Sequence, residues 1–316
     1  MALQIFLLAL GFLLLIKGSD WLVEGASALA RKFNVSDLSI GLTIVAFGTS
    51  APELVVNTFA AFQGHHDIVL GNIIGSNIFN IYVILGIAGI VTPLVIQSST
   101  VSKEIPFSLF AIVLMYILAN DFFISSEGTI TRLDGIILLI FFSSFLYYVY
   151  KQMKANVIRQ DTAHIKFSII KIIVLIITGL AGLIIGGRLI VVNAIYIAQA
   201  IGVSEKIIAL TIVAAGTSLP ELATSVVAAL KKNNDIAVGN IIGSNIFNIL
   251  LILGASSVIS PVSYDKVFNN DIYFLTIGTI VLFIAMFTGH RKKLDRWEAA
   301  VFLLLYTGYL VYMLNG

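Results

Sequence analysis

Two glutamates, Glu53 and Glu221, stand in the same local setting: "GTSAPEL" over Gly48–Leu54 and "GTSLPEL" over Gly216–Leu222, 168 positions apart. Both lie in apolar stretches, where an ionised carboxylate costs about 2.5 kcal/mol or more unless it has a partner or a task. Neither stretch supplies a lysine or arginine to act as that partner. Pro52 and Pro220 donate no N–H and clash with the carbonyls of Gly48 and Gly216, so each helix breaks there and frees backbone oxygens beside the acid. A plainer reading is available, because Ser50 to Glu53 and Ser218 to Glu221 both spell a capping box that would restart a half-helix.

The same offset carries "GNIIGSNIFNI" from Gly71–Ile81 onto Gly239–Ile249, letter for letter. Ser76, Asn77 and Asn80 share one helix face by their spacing, and Ser244, Asn245 and Asn248 repeat it. Taken singly, such residues are more often interhelical glue than ligands. Here they arrive as matched sets with two carboxylates, no cysteine in the chain and no histidine in the apolar runs. That inventory is all oxygen and suits a hard cation. Calcium takes about six to eight oxygens, and two bidentate glutamates with two carbonyls supply about six at neutral charge. Zinc and copper would want nitrogen or sulfur.

The elements that must hold these groups are membrane helices. Of 316 residues, 59% are apolar and 11% charged, with a mean hydropathy of +1.01. The apolar material falls into stretches of about 17 to 25 residues, the length that crosses ~30 Å of hydrocarbon. Ten spans are expected, near 2–30, 38–61, 68–91, 105–119, 132–150, 168–199, 206–230, 236–259, 271–288 and 296–314. Four acids fall inside them: Asp20, Glu24, Glu53 and Glu221. Thirteen lysines and arginines occupy alternate joints, against Arg132, Lys206 and Lys266 in the others, so the positive-inside rule places both termini outside. The net charge of +2 is uninformative once the joints are assigned, and no nucleic-acid partner is expected.

An offset spanning five helices inverts the second copy relative to the first. The fold class is therefore an all-α polytopic membrane protein with ten transmembrane helices in two inverted five-helix repeats, broken at the midplane. The first repeat occupies 1–150, a short cytoplasmic linker 151–167 and the second repeat 168–316. Such repeats build secondary transporters, in which the site lies between halves that alternate which side is open. Duplication kept for packing alone would not call for an intramembrane glutamate in both copies. Lys17, Asp20 and Glu24 lie on one helix face and are expected to bridge one another, with Arg188 a further candidate for Asp20.

The paired GTS-x-P-E and GSNIFN motifs resemble the α-repeats of the calcium/cation antiporter superfamily, and among its branches the sodium/calcium exchangers, of prokaryotic type. The resemblance implies that Glu53 and Glu221 bind calcium, helped by the backbone carbonyls of Thr49 and Thr217. It implies sodium ligands at Ala46, Ala214, Ser50, Ser218, Ser76 and Ser244, with a central position between Asn80 and Asn248. Sodium exchangers of several kinds, the potassium-dependent branch included, carry aspartate where this chain has Asn248. Potassium coupling is therefore disfavoured. Neither repeat has the GNxxEH-like motif usual in proton-coupled relatives, and the joint between halves is too short for a regulatory domain.

The expected function is exchange of Ca2+ for Na+, with three sodium ions per calcium, by alternating access in the plasma membrane. An empty site carrying two negative charges would not cross an apolar gate, which makes exchange obligatory. Protons compete for the same carboxylates, so a Ca2+/H+ antiporter is the runner-up. A channel is disfavoured because the site is duplicated within one chain, and an enzyme because no zinc motif or aspartate pair lies in a span. No resident cofactor is expected; Ca2+ and Na+, with H+ as a competitor, are cargo, and the lipid bilayer is the surrounding partner.

Overall fold

The computed structural model describes residues 2–120, 128–155, 167–201, 214–289 and 292–315. Its elements are helices: α1 (Ala2–Phe33), α2 (Asp37–Thr49), α3 (Ala51–Phe62), α4 (His66–Val91), α5 (Thr100–Ala119), α6 (Arg132–Ala155), α7 (Ile169–Ala200), α8 (Ala214–Gly216), α9 (Leu219–Leu230), α10 (Asn234–Ile259), α11 (Phe268–Ala285) and α12 (Arg296–Asn315). Seven of them are long and apolar enough to cross a membrane, and α2 with α3, bent by 49°, makes an eighth. The expected start of the seventh span, residues 206–213, lies outside the described residues.

Helices run past the apolar stretches that announce them. The fourth expected span, α5, begins at Thr100 rather than near 105, because a π-helical turn over Thr100–Glu104 carries the helix backwards, and Glu104 is buried inside it. Asp37, Asp67 and Asp235 likewise lie within helices α2, α4 and α10, and Asp134, Asp271 and Glu298, already inside the expected bounds, lie within α6, α11 and α12. The expectation of four acids within the helices is thus corrected.

The centre of the molecule is α4 with α10. Their most apolar stretches are 83% and 94% buried, against 22% and 28% for α1 and α7. Both central helices change pitch at the repeated motif, α4 into a π segment over Asn80–Ile84 and α10 over Phe247–Leu253. Wider turns of this kind are common at functional sites. Tyr82, fully buried in the first of these segments, stacks on Phe274 at 4.2 Å and donates to its carbonyl at 2.8 Å. Gly278 must be glycine there, since a Cβ would come within 2.5 Å of the tyrosine ring.

At the periphery α1 and α7 pack antiparallel along a glycine seam. A Cβ added at Gly18 would lie 2.8 Å from the Gly179 carbonyl, and one at Gly186 would lie 2.7 Å from the Gly11 carbonyl. Asp20 on α1 pairs with Lys231, in the turn after α9, at 2.5 Å, rather than with Lys17 or Arg188. The two residues are 211 positions apart, and no helical spacing could have announced the contact.

Two short antiparallel ladders tie the loops. Strand β1 (Leu94–Val95) pairs with β4 (Lys293–Leu294), and β2 (Thr129–Ile130) with β3 (Val262–Ser263). Each ladder fixes two joints at the same end of the helix stack.

Candidate cation site

Between α2 and α3 the chain turns at Ser50, with φ −83° and ψ 6°, and between α8 and α9 it turns at Ser218, with φ −86° and ψ 5°. The prolines follow immediately, at the second residue of α3 and of α9, where a missing N–H costs nothing. Glu53 and Glu221 therefore sit in the first turn of their half-helices, and each is 1% exposed. Neither serine caps its helix through the side chain. Ser50 Oγ instead reaches across to Glu221 Oε1 at 2.9 Å, 171 residues away. Ser244 Oγ approaches the same oxygen at 3.4 Å. The capping-box reading therefore fails at both breaks. The carboxylates are close enough for Glu53 to feel the charge of Glu221.

The polar faces of α4 and α10 meet directly. Asn80 Nδ2 donates to Asn245 Oδ1 at 2.9 Å, and Asn248 Nδ2 approaches Asn77 Oδ1 at 3.4 Å. The two bonds exchange places under the 168-residue offset. With the amide nitrogens committed, Asn80 Oδ1 and Asn248 Oδ1 have no partner, and both residues are 1% exposed. Glu53 Oε2, Glu221 Oε2, Ser76 Oγ and Ser218 Oγ are also buried without a hydrogen bond. The amide nitrogens of Asn77 and Asn245 are unmet there too, but the six oxygens outnumber them, and since an unmet buried polar atom costs about 1–3 kcal/mol, more when charged, the region suits a bound positive charge.

Two residues that sequence reasoning passed over organise this region. Asn72 Nδ2 donates to Thr217 Oγ1 at 3.1 Å, and its offset mate Asn240 accepts from Thr49 Oγ1 at 3.0 Å. Each asparagine thus ties a central helix to the break of the opposite half. They are held in turn by Asn57, which donates to Asn72 Oδ1 at 2.6 Å, and by Ser225, at 3.0 Å from Asn240 Nδ2. The signal was present in the repeat: Asn72 and Asn240 are the second letters of the duplicated motif, and Asn57 and Ser225 share the same offset.

The remaining expected ligands fall where their helices end. Thr49 and Ala46 are fully buried in the last turn of α2, and Ala46 O accepts from Ser50 N at 3.0 Å. Thr217 is half-buried at the second break, and Ala214 opens α8. Glu53, Glu221, Ser50 and Ser244 are thus joined by contact or charge, and Asn80 and Asn248 by their crossed amides. Oxygen is the only donor atom among them, which fits a hard cation.

The sequence profile of the sodium/calcium exchanger protein family matches residues 3–151 and 171–315. The putative antiporter CaxA of Alkalimonas amylolytica is 37% identical over 95% of each chain. The sodium/calcium exchanger MaX1 of Methanosarcina acetivorans is 32% identical, covering 96% of this chain and 97% of its own. Among solved structures, the sodium-calcium exchanger NCX_Mj soaked with 10 mM Na+ and 10 mM Sr2+ superposes with a TM-score of 0.84 at 34% identity, over 98% of both chains. The chain is a multi-pass membrane antiporter and belongs to the sodium/calcium exchanger protein family.

Proposed function

We propose that the protein exchanges Ca2+ for Na+ by alternating access around a site built on Glu53 and Glu221. The observation that carries this reading is the convergence of partnerless buried oxygens from both halves of the chain, with Ser50 of one half bonded to Glu221 of the other. Empty, the pair carries two negative charges in a region of low dielectric, and sliding them past an apolar gate would cost several kcal/mol. A loaded site avoids that cost, so the carrier turns over only with cargo. Calcium brings the site to neutrality; three sodium ions bring it to +1. The cargo of the two half-cycles then differs by one charge.

The arrangement we propose for this cycle is ten spans in two inverted repeats, 1–150 and 168–316, joined by a short cytoplasmic linker. It is supported by contacts that map onto themselves under the 168-residue offset, the crossed asparagine bonds and the glycine seam of α1 and α7. The low burial of α1 and α7 supports their moving as a pair against the rest. The basic joints support a cytoplasmic placement of the β1–β4 end and extracellular termini in the plasma membrane.

The test is calcium-loaded proteoliposomes given first a sodium gradient and then a pH gradient. Sodium-driven efflux is expected. Efflux driven by the pH gradient alone makes the protein a Ca2+/H+ antiporter instead. Glu53→Gln and Glu221→Gln should each abolish sodium-driven calcium flux, and flux retained in either variant removes that glutamate from the site. Asn248, neutral and bonded to Asn77, leaves no third charge for a co-transported potassium ion, so added K+ should not change the rate.

A further inference from the structure

A second set of buried oxygens lies away from the transport site, between α5 and α6. Glu104 is 0% exposed at the end of the π-helical turn that opens α5, and Tyr148 of α6 donates its hydroxyl to Glu104 Oε1. Thr100 and Gln152 border the same carboxyl group. Ser108 follows Glu104 by one helical turn and is fully buried. By strict hydrogen-bond geometry Glu104 Oε2, Thr100 Oγ1, Ser108 Oγ and Gln152 Oε1 have no partner, although Thr100 and Gln152 lie near enough to the carboxyl group to interact with it. Among the described residues no lysine, arginine or histidine pairs with Glu104. Lys103, the neighbouring cation, is exposed and lies over the outer ring of Tyr148 at 5.6 Å.

The repeat does not explain this cluster. Under the 168-residue offset Glu104 corresponds to Ile272 and Thr100 to Phe268, and the second half sets its own acid–tyrosine pair, Asp271 with Tyr309, one residue earlier and without the neighbouring unmet oxygens. A carboxylate kept in an apolar layer without a charged partner is expensive, and the three unmet oxygens of Thr100, Ser108 and Gln152 around it add to the cost. The donor set is a single carboxylate with two hydroxyls and one carboxamide. One negative charge balances a monovalent ion, whereas a divalent ion would leave a buried positive charge. We propose that Thr100, Glu104, Ser108 and Gln152 hold a sodium ion that braces α5 against α6, separate from the transported ions.

The test uses the full chain in detergent, in a Glu53→Gln/Glu221→Gln background that weakens sodium binding at the transport site. Sodium chloride is exchanged for choline chloride at constant ionic strength while the unfolding temperature is read. A ligand that binds only the folded state raises that temperature in step with its concentration, here by about 2–4 °C at saturation. Glu104→Gln should lose the shift. Ser108→Ala, a small change that keeps the fold, should retain it but move the half-maximal sodium concentration about tenfold upward. A shift undiminished in Glu104→Gln and unmoved in Ser108→Ala overturns the proposal. So does a protein that ignores sodium and is stabilised only by lowering the pH, since Glu104 then carries a proton in place of the ion. Because the transport glutamates are already removed, neither result bears on the exchange reading.

Discussion

At the residue scale, the proposed transport site owes its geometry to asparagines as much as to glutamates. A carboxylate in the first turn of a half-helix is only as well placed as the break behind it, and Asn72 and Asn240 each hold the break of the opposite half through a threonine hydroxyl. Asn240→Ala removes the acceptor of Thr49 and leaves that buried hydroxyl with the weaker bond to Ala46 O at 3.3 Å. A loss of about 1–2 kcal/mol is expected, or about tenfold in apparent calcium affinity, read from the calcium dependence of initial uptake. Asn72→Ala should act alike on the other break. Asn57→Ser, by contrast, copies what the second half already uses at Ser225, and should leave the affinity within about twofold. The glutamates were legible in the sequence because an acid in an apolar run demands a reason. The asparagines were not, because a lone carboxamide in a membrane helix is ordinarily packing glue, and only the structure shows which hydroxyl it grips.

At the element scale, apolar runs located the helices, while their ends and internal pitch escaped. Hydropathy falls before Ile105 and puts Glu104 in a joint, yet the backbone continues helically from Thr100. The π segments at Gly41–Val45, Asn80–Ile84 and Phe247–Leu253 leave no mark in composition, since they depend on how neighbouring helices pack. The pairing of Asp20 with Lys231 was also hidden, and its weight is small. Both side chains are 37% exposed, and an exposed pair contributes about 0–1 kcal/mol, so it does not lock α1 in place. The glycine seam of α1 and α7 matters more. Gly18→Leu would drive a side chain into the Gly179 carbonyl and the Leu183 nitrogen, both 2.8 Å from the added Cβ, and force the helices apart at a cost of about 1–3 kcal/mol or more. If these helices move together during the cycle, the variant should exchange calcium several-fold more slowly while binding it with unchanged affinity. Gly308→Ala, where an added Cβ meets nothing within 4 Å, is the control and should keep the full rate.

At the scale of the whole molecule, two properties follow from the inverted arrangement proposed above. The first is electrical: with a site of two negative charges, three sodium ions for one calcium moves one charge per cycle, worth about 2.3 kcal/mol per 100 mV. Calcium uptake by sodium-loaded vesicles should therefore speed up when the interior is made positive and slow when it is made negative, and a rate indifferent to a valinomycin-set potential rules out that stoichiometry. The second is topological. The ladder β1–β4 requires that the joint after α4 and the joint before α12 share one end of the stack, and β2–β3 requires the same of the joints before α6 and after α10. An even number of crossings must separate the members of each ladder, which the ten-span count satisfies with six and four. The five crossings that the proposed ten spans put between Val95 and Ser263 would set the two ladders on opposite faces. Because the chain has no cysteine, single replacements report on this without background. Val95→Cys, at a position 56% exposed, should react with an impermeant maleimide only from the cytoplasmic side, and Ser263→Cys only from outside. Labelling of both from one face would require an even number of crossings between them, which two oppositely oriented five-helix halves do not allow. The shared site would then lose the symmetry that brings Glu53 and Glu221 together.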